Sequence, residues 1–536
     1  MTDTAAPTAP EPVETTRRRR SPAAWFSRQD PRELAVWGAL FAASVLVHLI
    51  GLGNRPFHHD ESQDAYFSFL GGDTGFHYNP LLHGPFRFYL IKAVYVIFGD
   101  SNFTARLAPA IMGMLLIPLT WPLRRLLGRG AALGAAALFT FGPSFLYFGR
   151  FTREDIYMAA ITLGLLVAIW LYIERPRTYH PAIIGAILAI SFTTKETTFI
   201  TVFVMGSFFL FSFAVPPWRR RLLHALKRAG WEGWGWFLAA FLGLMVVLFT
   251  TFLTYPEGWK GLWTGLKYWL DQHGVARGGE PWNFYPTVIV TIEWPLLLFG
   301  AIGAVSLWRR DSFFAAFLIW DFALSLIVYS IAGEKFAWLV LNPLLPLVLL
   351  SGVGLQAIWQ ARGPMRYVGI AAGVVALFYV GVSSWWINVT RPADPREMLV
   401  STQSAEDVKK VADQVQALAD SRGPGAPPLT VTIDSAQGAT FPYAWYFRHL
   451  GVGYIDLSQQ NAPPPTSDVI VMTDEAKARL QNALGGYDIR QFPFRVWWVR
   501  DYSASNLKHL PKYILERKVW NPTGGMTEWL AVKKGL

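Results

Sequence analysis

Runs of about 20 apolar residues, parted by short loops that carry arginine, limit what this chain can fold into. A run of that length crosses the hydrocarbon core of a bilayer as a helix, and a helix satisfies its own backbone polar groups there. Eleven runs are legible, at 34–53, 103–123, 130–148, 155–174, 181–194, 197–215, 234–254, 285–307, 312–331, 337–360 and 366–387. The loops "RRLLGRG", "ERPRTYH", "WRRRLLHALKR", "WRRDS" and "QARGPMR" follow alternate runs. With Arg17 to Arg20 placed in the cytoplasm ahead of the first run, all five loops fall there too, as the positive-inside rule requires. The stretch "FRFYLIKAVYVIF", 86–98, is too short to cross and carries Arg87 and Lys92. Counting it as a crossing turns the arginine loops outward, so it is predicted to lie in the outer interface.

The net charge of +11 would suit a nucleic-acid partner, but the arginines sit in loops between apolar runs, so topology accounts for them. There is no cysteine, which removes disulfides, thiol nucleophiles and cysteine metal sites. Residues 1–32 are rich in Thr, Ala, Pro and Arg and read as a disordered cytoplasmic tail. No small-residue cleavage site follows the first run, so it reads as an anchor. Residues 33–387 form the membrane unit. From 388 to 536 the pattern changes: "LTVTIDS", "SDVIVMT", "VWWVRDY" and "TEWLAVKK" read as strands and "SAEDVKKVADQVQALAD" as a helix. That predicts a small extracytoplasmic α/β domain.

The unusual charged motifs all fall on the outer face: "HHDE" at 58–61, "RFTRED" at 150–155, "TKE" at 194–196, "QHGVARGGEPW" at 272–282 and "GEK" at 333–335. Such a mixture suits one chemistry. Cations hold a lipid-linked phosphate while a carboxylate takes the proton of an acceptor hydroxyl. His58 and His59 flank Asp60; adjacent side chains diverge, which favours hydrogen bonding over joint metal ligation. Glu154 and Asp155 fall in the first turn of a helix, where acids complement the dipole, or else Asp155 orients a substrate. Lys195 either snorkels or binds phosphate between two shortened runs. His273 and Arg277 share a face if their loop is helical. Trp282 either anchors at the interface or stacks on a sugar. Glu293 lies in an apolar run, about two turns deep, where a carboxylate is paired or functional.

The order of these features resembles the GT-C superfamily of polyprenyl-phosphate-sugar glycosyltransferases, which includes protein O-mannosyltransferases and the aminoarabinose transferase of lipid A. The matching parts are the Asp60–Glu61 pair, "HGPFRFYLIKAVYVIFGDSNFTARL", "FLYFGRFTREDIYM", the lysine of "TTKET" and "EKFAWLVLNPLLPLVLLSG", spanning roughly 34–360. The loop "DQHGVARGGEPWNFY" looks most like a prokaryotic GT-C branch named for association with flippase activity. The resemblance implies a GT-C fold of about eleven crossings with outer juxtamembrane helices, in a prokaryotic plasma membrane. It implies an inverting transfer of one sugar from a polyprenyl-phosphate donor to a protein, lipid or glycan acceptor, with no required cofactor and a divalent metal disfavoured. It implies Asp60 as base, supported by Glu61 and Asp155. Lys195, Arg150, Arg153 and Lys335 then serve the donor phosphate. His59, His83, Glu154, His273, Arg277, Trp282, Tyr285 and Glu293 are candidates for the sugar or acceptor, with His83 in "LLHGP" also fitting a structural turn. A lipid-linked-sugar flippase is the second reading; the absence of repeated halves weighs against it. An oligosaccharyltransferase is the third; "WWIN" and "VWWVRDY" do not match the Trp-Trp-Asp motif of those enzymes.

Overall fold

A computed structural model of the chain describes residues 29–70, 79, 82–272, 278–423, 425–503 and 508–536. The tail up to residue 28, together with His273 and Arg277, lies outside the described residues. Asp30 caps the first helix by accepting from the Arg32 N–H, and Pro31 occupies its first turn, so that helix starts three residues earlier than expected.

Among the described residues seven helices are long and apolar enough to cross a membrane: Pro31–Leu49, Thr104–Leu127, Glu154–Glu174, Pro216–Phe249, Ser312–Ile331, Ala337–Gln360 and Pro364–Thr390. Two bent pairs raise the number to nine if each is one span: Arg129–Phe141 with Pro143–Gly149 at 57°, and Phe284–Ile292 with Trp294–Trp308 at 91°. The remaining two predicted runs are the helices His180–Phe192 and Thr198–Ser212, of 13 and 15 residues. At about 1.5 Å per residue they reach roughly 20 Å, short of a core about 30 Å thick. Helix length therefore supports seven to nine crossings, not eleven. Phe86–Phe98 is a 13-residue helix, about 20 Å long and too short to cross.

Three differences have local causes. "WRRRLLHALKR" is not a loop: Pro216–Phe249 runs through it, broken only at Gly230, whose φ is 61°. The bends in the two broken pairs fall beside Pro143 and Pro295, which cannot donate a helical hydrogen bond. Glu293 sits at the second bend and does not face the charged end of the bundle. Its Oε1 accepts the Ser144 N–H at 3.0 Å, in the first turn of Pro143–Gly149. The first N–H groups of a helix have no partner within it, and a carboxylate there also meets the positive end of the dipole. Glu293 thus ties one bend to the other.

The bundle packs closely where side chains are small. Added Cβ atoms at Gly303 and Gly354 would strike the facing backbones of Ala337–Gln360 and Trp294–Trp308. The C-terminal unit holds one mixed sheet of β1 (Gln403–Ser404), β2 (Val431–Asp434), β3 (Val452–Ile455), β4 (Val469–Thr473), β5 (Tyr487–Trp497) and β6 (Gly524–Lys533). Their order is β1-β5-β6-β4-β2-β3, with β2 parallel to β3 and β4 and the other pairings antiparallel. "VWWVRDY" holds only the end of β5; the strand lies earlier, and its alternation is interrupted by a register shift after Pro493. The helix Glu406–Asp420 covers the sheet with Val408, Val411, Ala412 and Val415.

The sheet unit docks on one end of the bundle through polar contacts. Trp445 Nε1 donates to Asn102 at 2.8 Å, Gln403 Nε2 donates to the Pro56 carbonyl at 3.0 Å, and the Tyr446 hydroxyl accepts the Phe57 N–H at 2.9 Å. These contacts hold the segment before Asp60 against the sheet.

Candidate active site

The helix His59–Leu70 begins with a reciprocal cap. His58 Nδ1 accepts the Asp60 N–H at 3.0 Å, and Glu61 Oε2 accepts the His58 N–H at 3.1 Å. Glu61 is completely buried. Arg106 meets it through Nε at 2.9 Å and Nη2 at 3.0 Å, Arg55 at 3.0 Å, and the Thr152 N–H at 2.9 Å. Burial pushes its carboxyl up, but Arg106 and Arg55 outweigh that and bring its pKa down to about 2. A carboxylate with both oxygens so occupied fixes the loop and does not reach a substrate.

Asp60, its neighbour, is different. Its side chain is 25 % exposed and meets Arg153 Nη1 at 2.6 Å. Burial raises its pKa, and Arg153 with the two histidines reverses this, leaving it below the usual range. Burial holds the pKa of His58 down to about 4 and that of His59 below its ordinary value. His59 turns to the sheet unit, where Arg495 Nη2 lies 3.0 Å from its Nδ1.

A turn closure brings in the next residues. Gly84 donates to the Thr194 carbonyl at 3.1 Å and Phe86 to the Thr193 carbonyl at 2.9 Å. A Cβ on Gly84 would collide with that backbone, so only glycine lets "LLHGP" lie on "TTKE". The closure sets His83, with φ of 62°, between Glu196 at 2.7 Å and Glu154 at 3.3 Å. Burial lowers its pKa, but the two glutamates raise it above the ordinary value. Lys195 stands 2.9 Å from both Glu154 and Asp155 with its side chain 3 % exposed. Burial works against its charge, and the two acids more than restore it.

Arg153 joins the halves. It reaches Asp60, lies 3.6 Å from Glu154 and 3.9 Å from Asp155, and its guanidinium sits 4.2 Å above the Trp338 ring. Behind it Arg87 pairs with Asp64 at 2.7 Å and Glu154 at 3.6 Å. The result is a connected set of five carboxylates and three cations with one histidine, sealed except at Asp60, Arg153, Glu196 and His83. Such a set can hold an anion at Arg153 and accept a proton at Asp60.

The structure therefore brings together Asp60, His83, Arg153, Glu154, Asp155 and Lys195. Among the other described candidates, Arg150, Lys335, Tyr285, Trp282 and Glu293 stand apart from this set. Arg150 turns away, donating to the Val47 and His48 carbonyls at 2.6 and 3.2 Å. Lys335 donates to the Ala332 carbonyl at 2.5 Å and lines another cavity, with Arg500 and Trp497; its neighbour Glu334 lines the one beside Lys195. Tyr285 is buried and donates to the Phe336 carbonyl at 3.1 Å, and Trp282 is 70 % exposed. Arg55, Asp64, Arg87 and Arg106 were not legible as site residues. Arg106 within an apolar run was the available signal, since a charge there demands a partner. Among the described residues no three His, Asp or Glu side chains are grouped as a metal ion would need.

Residues 82–248, which include His83, Arg153 to Asp155 and Lys195, match the family described as dolichyl-phosphate-mannose-protein mannosyltransferase. The structure resembles that of ArnT from Cupriavidus metallidurans bound to undecaprenyl phosphate. The TM-score is 0.57 at 16 % identity, over 92 % of this chain and 98 % of that one. The apo form of ArnT gives 0.55 at 17 %, over 85 % and 96 %. The archaeal oligosaccharyltransferase AglB from Archaeoglobus fulgidus, in complex with an inhibitory peptide and a dolichol-phosphate, gives 0.53 at 15 %, over 87 % and 70 %. No curated protein sequence matches the chain. In class this is a multi-pass membrane protein with a C-terminal sheet unit. More particularly, its architecture is the GT-C fold.

Proposed function

We propose that the chain is a membrane glycosyltransferase that moves one sugar from a polyprenyl-phosphate donor to an acceptor hydroxyl outside the cytoplasm, with inversion at the anomeric carbon. The Asp60–Arg153 pair carries this reading: a carboxylate and a guanidinium at 2.6 Å on the open rim of an otherwise buried charge cluster. A phosphate arriving there competes for Arg153, since guanidinium binds phosphate in a bidentate fork. As Arg153 turns to the phosphate, Asp60 loses the cation that holds its pKa down and becomes the better base.

The acceptor oxygen then attacks the anomeric carbon as the bond from that carbon to the phosphate oxygen breaks. The hydroxyl proton ends on Asp60, and Arg153, with the buried charge of Lys195 behind it, holds the charge on the departing polyprenyl phosphate. Glu154 and Asp155 keep Lys195 charged and in place, and Glu61 positions Asp60. The matched family segment supports this reading, and so do the carrier phosphates named for ArnT and AglB. The outward placement rests on the arginine loops.

The test is label transfer. Purified protein is incubated with radiolabelled polyprenyl-phosphate mannose, glucose or arabinose and a native membrane extract. Release of polyprenyl phosphate with the sugar inverted on a labelled product supports the reading, and that product names the acceptor. Retained configuration refutes direct attack. A vesicle assay showing sugar-lipid translocation with every donor left intact refutes the transferase.

A further inference from the structure

A second cavity system lies beyond the Arg55–Glu61 pair, reached through Arg55 Nη2, which is 3.0 Å from Glu61 and 3.1 Å from the Arg150 carbonyl. Its larger part is a cavity of about 710 Å³, almost wholly apolar. Gly130, Gly134 and Ala137 line it from Arg129–Phe141, and Leu377, Gly381 and Ser384 from Pro364–Trp385. Both triplets recur at spacings of four and three, which is one helix face. The missing side chains leave the groove. From Gly130 to Phe141 the helix runs about 16 Å, half the thickness of a bilayer core.

The groove has one polar end. Ile50, Arg150, Asn388 and Val389 line both it and an adjoining cavity of about 190 Å³, where Asn54, Arg55 and Tyr147 also sit. Arg150 has no carboxylate within ion-pair distance among the described residues; only the two carbonyls at the end of Pro31–Leu49 hold it. Burial and the nearby Arg55 and Arg106 bring its pKa down to about 10, which marks uncompensated positive charge. Arg55 Nε and Asn388 Oδ1 are buried without a partner, in residues 7 % and 5 % exposed. Two guanidiniums and one carbonyl acceptor therefore converge where an apolar channel begins.

We propose that this groove binds a single-chain lipid phosphomonoester, its hydrocarbon lying between Gly134 and Gly381 and its phosphate between Arg150 and Arg55. A phosphomonoester has a second pKa near 6, so near neutrality, between two guanidiniums, it is mostly a dianion that matches their charge. A sugar phosphodiester or a glycerophospholipid diester carries one negative charge. The site thus selects the unglycosylated carrier over the donor, an assignment that rests on the proposed transfer, which releases that carrier.

The experiment uses the full chain in phosphatidylcholine nanodiscs with a diazirine-bearing polyprenyl phosphate, mapping adducts by peptide mass spectrometry. Adducts are expected at 130–141 and 377–389. Arg150→Gln should lower them about tenfold, the scale of a hydrogen bond to a charged group. Gly381→Trp should remove them; an added Cβ there meets nothing within 4 Å, so the bulk enters the groove and not the packed bundle. Unlabelled polyprenyl phosphate should compete, while polyprenol and phosphatidylglycerol should not. Unchanged labelling in both variants, or equal competition by either control lipid, overturns the proposal. Labelling is repeated in Asp60→Asn, so loss of the groove and loss of transfer are read separately.

Discussion

Replacing Glu61 by glutamine tests how the site is held. The change keeps shape and removes the charge that Arg55 and Arg106 share, leaving two guanidiniums buried. Glu61 is completely buried and its pKa lies near 2, against an ordinary 4.5. That distance, at about 1.4 kcal/mol per pH unit, is roughly 3 kcal/mol. Loss of one partner from a buried pair costs about 3–5 kcal/mol, which agrees. The sign follows from the direction. A depressed carboxyl stabilises fully above its unfolded pKa, and the contribution fades as pH falls from 4.5 towards 2. Unfolding in detergent can be followed by tryptophan fluorescence, since Trp445 packs 5.5 Å from Phe57 and Trp338 lies 6.2 Å from His58. Glu61→Gln should shift the unfolding equilibrium at pH 7 by about a hundredfold and flatten the acid slope. A variant within about 0.5 kcal/mol of the wild type, or one keeping the full acid slope, refutes the claim that Glu61 anchors the loop.

Other perturbations separate the parts. Lys195→Met removes the cation nearest to both Glu154 and Asp155, leaving them to the more distant Arg153; it should lose about 3 kcal/mol of stability and weaken donor binding, and Lys195→Arg should recover the stability first, both read by melting and by binding of radiolabelled donor. His83 has a raised pKa, so its charge stabilises the folded state below pH 6.5 and that contribution is lost as pH rises through the raised value; His83→Gln should flatten the melting-temperature profile above pH 6.5. Gly84→Val should prevent the closure of 82–86 on 193–196, cutting transfer about a hundredfold while the helix content seen by circular dichroism stays near wild type.

The membrane architecture was legible because apolar run length and arginine placement report directly on bilayer physics. Each of the eleven runs contains helix, and 181–194 and 197–215 already read as shortened; run length did not show that the second holds only a 15-residue helix, or that two others bend beside Pro143 and Pro295. The cluster was legible in part. Asp60, Arg153 and Lys195 stood at the outer ends of separate helices, and topology gathered them. Arg150 and Lys335 stood equally near in sequence and faced away, because side-chain direction at a helix end depends on which carbonyls lie beside it. Glu293 read as a deep site residue for its charge alone. A carboxylate in an apolar run announces a partner, and that partner was the unsatisfied N–H of Ser144, which no pattern in the chain reveals.

The most direct test of the account is single-turnover cleavage of radiolabelled polyprenyl-phosphate sugar by Asp60→Asn beside the wild type, with donor binding measured on both. The account predicts binding within about threefold and a cleavage rate lower by about 10²–10⁴, the range a positioned general base supplies. Equal cleavage rates in the two proteins would contradict it.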